Sequence, residues 1–173
     1  MKNTEKEKVG IAKQQYETLR LKEPFFKNED KEFIGYVSHI NSKITGEQSF
    51  IITDKYVPLS ASLSERESVK EVMVLYRGSS FDSSLDTKLD WQYNNIFTAF
   101  PVINGGGAAA MPQLQSSATT LQQTLEAYPN AEFYVYGHSL GSMNAQYALA
   151  SISSSDAIVF MAMCIRDRIS MRY

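Results

Sequence analysis

The chain has 173 residues, 43% of them hydrophobic and 21% charged, with a formal net charge of −2. That suits one globular domain with enough apolar material for a core, rather than two independent domains. The charge balance offers no basic face for nucleic acid, no stretch approaches the roughly 20 apolar residues of a membrane span, and the opening residues lack the apolar centre of a secretory leader.

Val9, Ala12, Tyr16 and Leu19 recur at helical spacing and Pro24 breaks the pattern, so residues 5–20 are expected to form an amphipathic helix and residues 1–49 an N-terminal helical segment. A short β-rich stretch at 50–56 precedes Val72-Met73-Val74-Leu75-Tyr76, a continuous apolar run of the kind found in strands buried on both faces. Residues 81–112 carry Phe81, Trp91, Tyr93, Phe97 and Phe100 among polar residues and end in Gly105-Gly106-Gly107, a flexible joint. Leu114, Ala118, Leu121 and Leu125 then mark a helix, followed by the apolar strand Phe133-Tyr134-Val135-Tyr136. A further helix at 142–150 can turn Met143, Tyr147 and Ala150 to the core, and Ala157-Ile158-Val159-Phe160-Met161 is the next apolar strand. Strand, helix, strand, helix, strand is the pattern of an α/β fold with a mostly parallel sheet and flanking helices.

The single cysteine, Cys164, cannot form an internal disulfide and lies in Met163-Cys164-Ile165-Arg166-Asp167-Arg168. That hexapeptide resembles the translation of a transposon end used in sequencing libraries. Residues 163–173 are accordingly expected to be a non-native tail, and residues 50–162 a partial domain, incomplete at the C-terminus.

Gly137-His138-Ser139-Leu140-Gly141 is a Gly-x-Ser-x-Gly pentapeptide, weak by itself, but here it leaves an apolar strand and opens a helix. The turn is tight enough that side chains at 137 and 141 would collide with backbone, and it pushes the Ser139 hydroxyl out of the sheet edge. The helix starting at Leu140 aims its amides at the place where negative charge grows during acyl transfer. Ser139 is therefore the candidate nucleophile, with Gly137, His138 and Gly141 forming the elbow.

Together with Tyr76-Arg77-Gly78-Ser79 earlier in the chain, the pentapeptide resembles the class 3 lipase family of α/β hydrolases, over roughly residues 50–161. The wording is nearest to leaderless lipase-like proteins of Gram-positive bacteria, some of them secretion-system effectors. The resemblance implies an α/β-hydrolase-type sheet and a serine-dependent carboxylic ester hydrolase, lipase- or phospholipase-like, acting through an acyl-serine intermediate with no metal or organic cofactor. It assigns the oxyanion hole to the amides of Ser79 and Leu140, and matches Asp90-Trp91, which read equally well as a buried Trp beside a solvated Asp. It makes residues 81–112 a lid over an acyl groove, although their aromatics could equally fill the core. Ser142-Met143-Asn144 departs from the small residues usual there.

The expected substrate is a lipid or other acyl ester, met during transient contact with a membrane surface; no nucleic acid and no specific protein partner are implied. The chain is expected in the cytoplasm, or exported by a route that reads no cleaved leader. An acyltransferase or thioesterase on the same site, or a non-catalytic lipid-binding or structural module with a vestigial elbow, are the alternatives. The triad of such enzymes runs Ser, acid, His along the chain, yet no histidine follows Ser139, and the histidines present are His39 and His138. His138 cannot fold back on its neighbour's hydroxyl as a base, and His39 reads as a surface or turn residue. The triad acid and histidine are thus expected beyond residue 162, and the chain as written is expected to be nearly inert.

Overall fold

The computed structural model describes residues 4–14, 17–27, 32–78, 112–138 and 140–152. Helix α1 (Glu5–Lys13) opens on a capping box in which Thr4 and Glu7 satisfy each other's backbone amides, and it stops at Lys13 instead of running to residue 20. Strands β1 (Pro24–Lys27), β2 (Glu32–Ser42) and β3 (Gln48–Thr53) come next, then a short helix α2 (Leu63–Glu67) and strand β4 (Glu71–Tyr76). Helix α3 (Pro112–Ala127), strand β5 (Glu132–Gly137) and helix α4 (Leu140–Ala150) complete the described elements.

The five strands form one sheet in the order β1-β2-β3-β4-β5. The first three neighbouring pairs are antiparallel, and only β4 and β5 run parallel. This overturns the mostly parallel, α/β-hydrolase-type sheet expected from the sequence. For the β1–β2 and β2–β3 pairs the reason lies in the connections: a parallel partner needs a crossover of a dozen or more residues, whereas a short turn returns the chain antiparallel. Between β2 and β3 the chain reverses within the segment Lys43–Glu47, where the Gly46 amide donates to the Lys43 carbonyl (2.9 Å) and the Lys43 amide to the Glu47 carbonyl (2.9 Å). Gly46 takes φ +88 there, open to glycine at little cost. The connection from β3 to β4, residues 54–70, is also long enough for a crossover but brings β4 back antiparallel; the connection from β4 to β5, which contains α3, makes the one parallel step among the described strands.

The polar-interrupted sequence of β2, Glu-Phe-Ile-Gly-Tyr-Val-Ser-His-Ile-Asn-Ser, hides a strand that a search for apolar runs passes over. Strands β1 and β2 consequently lie within the segment 1–49 expected to be helical. Gly35 is needed because a Cβ there would be driven into the Thr53 carbonyl of β3. The strand expected at residues 157–161 and the tail at 163–173 lie outside the described residues, as do residues 81–111 of the expected lid, Asp90-Trp91 among them.

The two apolar runs read as doubly buried strands are so. Val72, Val74, Tyr76, Phe133 and Val135 pack against Leu121 of α3 and Ala145 and Ala148 of α4. Met73, Leu75, Tyr134 and Tyr136 face the other way, against Ile11 and Ala12 of α1. Each side of β4 and β5 is thus covered, which is why their sequence shows no polar alternation. Among the described residues no helix is long and apolar enough to cross a membrane.

Candidate active site

Strand β5 ends at Gly137 and helix α4 begins at Leu140, so only residues 138 and 139 make the reversal. The consequence is a backbone contact: a Cβ on Gly137 would land on the carbonyl group of Gly141 and 2.7 Å from the Ser142 amide nitrogen. The Gly141 amide donates to the His138 carbonyl (3.0 Å), closing the turn. Sterics therefore require glycine at position 137. Ser139 itself lies outside the described residues.

The parallel register pairs Tyr76 with Gly137, so the chain leaving β4 through Arg77 and Gly78 emerges beside the elbow. Ser79, the expected oxyanion residue, is outside the described residues. Leu140 is the first residue of α4, and an amide at that position has no acceptor within its own helix. The His138 imidazole is half-buried; burial first, and then the charge of Lys13 at the end of α1, push its pKa below the ordinary value. Both causes disfavour the imidazolium form beside the elbow.

Gly137 also sets the phase of α4. Because Gly141 must touch Gly137, the inward face runs through Gly141, Asn144, Ala145 and Ala148. Met143, Tyr147 and Ala150, expected on that face, are displaced from it, Ala150 being exposed. Asn144 is enclosed at 0% exposure, with neither Nδ2 nor Oδ1 paired among the described residues.

His39 does not approach the elbow. It sits on β2, three strands from β5, at about 4.8 Å per strand. It is instead the outer end of a hydrogen-bond chain that no sequence motif announced. Ser49 donates to Glu47 Oε1 (2.6 Å), Asn41 Nδ2 donates to Ser49 Oγ (3.1 Å), and His39 Nε2 meets Asn41 Oδ1 at 3.1 Å. Asn41 uses its amide on Ser49, so its oxygen accepts and His39 is the Nε2–H donor. Thr120 of α3 donates to Glu47 Oε2 (3.3 Å). A carboxylate directly after the turn glycine at the head of an apolar strand was the only sequence signal of this burial, and it is a weak one.

A shallow depression lined by Ile34, Thr53, Asp54, Glu71 and Tyr134 lies at the opposite end of β3 and β4 from the elbow. No family model matches the sequence, and no curated protein matches it either.

Proposed function

We propose that the chain carries the nucleophile of a serine-dependent carboxylic ester hydrolase of the lipase or phospholipase type. The observation behind this reading is the contact of Gly137 with Gly141 across a two-residue reversal from a buried strand into a helix. Such a turn leaves the intervening side chain no room inside the sheet and faces it with the first amides of the helix. The Tyr76 and Gly137 pairing supports it by bringing the second motif of the class 3 lipase resemblance to the same edge.

In this reading Ser139 Oγ attacks the acyl carbonyl carbon, and the carbonyl oxygen gathers negative charge that the amides of Ser79 and Leu140 stabilise by donating hydrogen bonds. The alkoxide leaves with a proton, and water then cleaves the acyl-serine bond. The activating base rests on the resemblance alone, since no histidine follows Ser139 in this sequence. The test is peptide mapping after treatment with a fluorophosphonate, applied to the product of the genomic reading frame that contains residues 1–162. The expected result is one adduct, on Ser139, abolished by Ser139→Ala. Equal labelling of the Ser139→Ala protein would remove the assignment.

A further inference from the structure

Between the β2–β3 hairpin and α3 the core is polar. Glu47 and Ser49 are fully enclosed, and Asn41, Ser117, Thr120 and Thr124 are buried beside them. We propose that Glu47 is a pH-sensitive latch, seating α3 firmly on the sheet when its carboxyl is protonated and loosening it when ionised.

The groups around it decide the sign. Ser49 of β3 and Thr120 of α3 each donate a hydroxyl to the carboxylate. From the turn, Lys43 acts through its charge, and among the described residues it makes no ion pair with Glu47. From β2, His39 stands at the far end of the Asn41 and Ser49 chain. From β4, Tyr76 donates its hydroxyl to the Ser117 carbonyl (2.7 Å), and burial keeps it un-ionised far above its ordinary range. Residues 112–127 of α3 offer no charge nearer than Glu126, at the helix's other end. Two hydroxyl donors and the charge of Lys43 do not replace the water around a carboxylate. Burial is the leading cause and raises the Glu47 pKa, against the smaller lowering by Ser49, Thr120 and Lys43.

An acid whose pKa is raised by folding favours the fold fully below its ordinary value, and that advantage is lost as pH climbs through the raised value. Protonation at Oε2 reverses the bond to Thr120, making the carboxyl the donor, while Oε1 still accepts from Ser49. Because Leu121 of α3 packs in the same cluster as Ala145 and Ala148 of α4, looseness in α3 reaches the elbow helix. The latch does not depend on the ester-hydrolase reading.

Hydrogen exchange at the α3 amides, corrected for the intrinsic pH dependence of exchange, is the experiment. Protection should fall several-fold between about pH 5 and about pH 8 in the unaltered chain. Glu47→Gln, which keeps an acceptor and cannot ionise, should hold protection at the acid level throughout, and His39→Gln should leave the slope in place. A slope that persists in Glu47→Gln, or vanishes in His39→Gln, overturns the latch. Should Glu47→Gln not fold, a carbon-13 titration of the Glu47 carboxyl in the unaltered chain decides: a midpoint above the ordinary carboxylate range supports the latch, and one at or below it overturns it.

Discussion

Gly137→Ala is the sharpest probe of the elbow. The added methyl would fall on the Gly141 carbonyl and within 2.7 Å of the Ser142 nitrogen. Both are backbone groups, so no side chain can swing aside; either β5 must end early or α4 must shift its first turn. Overpacking of this kind costs typically 1–3 kcal/mol in a core that can relax, and the absence of a yielding neighbour places the expectation at about 3 kcal/mol or more. For a domain of this size that is a fall of roughly 6–12 °C in Tm. Gly46→Ala is the matched control: it takes a positive φ of 88, but the nearest atom to its Cβ is Gln113 Oε1 at 3.5 Å, the end of a flexible side chain. Its cost is conformational alone, about 1–2 kcal/mol. Thermal and urea unfolding of the two variants, followed by circular dichroism, compares them directly. If Gly137→Ala is no more destabilised than Gly46→Ala, the close approach of β5 and α4 is not what shapes the turn, and the chief support for the nucleophile assignment goes with it.

Two other outcomes concern groups at the edges of the core. Asn144 is enclosed with both amide atoms unpaired among the described residues, so Asn144→Leu, similar in volume and free of that desolvation cost, should be neutral or stabilising in urea melts; a loss above about 2 kcal/mol would mean that the amide has a partner important to the fold. Lys27 first, and then Thr4, hold the Glu7 carboxyl down to about 2, with Lys27 Nζ 2.8 Å from Glu7 Oε1. A depressed carboxyl favours the fold above its ordinary value and loses that contribution as pH falls toward 2. The acid slope of the urea midpoint should therefore shrink in Glu7→Gln, and shrink more modestly in the unaltered chain at high salt because Glu7 is only partly exposed and Lys27 buried; identical slopes for the two proteins would contradict it.

The elements whose structure could be read from the chain are those whose pattern is local. Val72 to Tyr76 and Phe133 to Tyr136 are uninterrupted apolar runs because both faces of β4 and β5 are covered, and Leu114 and Leu121 mark α3 by their spacing. The need for glycine at 137 was equally legible, since a side chain there would meet the backbone of the following helix. Other local signals were present but less conspicuous: Ser62 and Glu65 form the capping box that starts α2.

Strand direction was not written locally. The antiparallel pairing of β1, β2 and β3 depends on turn lengths and on which neighbour a half-polar strand such as β2 finds, facts that exist only once the strands are side by side. The inward face of α4 was likewise settled by a contact between two elements: with Gly141 held against Gly137, Asn144, Ala145 and Ala148 turn inward and Met143 and Tyr147 turn aside. Glu47 carries the same lesson in electrostatics, since its place after the turn glycine Gly46 is only a weak sign that a carboxylate will be enclosed. Its burial comes from α3 closing over the hairpin, which brings Thr120 to it across 73 residues of chain. Sequence alone determined where backbone and apolar side chains must go locally; tertiary structure decided which strands pair, which helix face is buried and which charge loses its water, because those depend on surfaces contributed by distant parts of the chain.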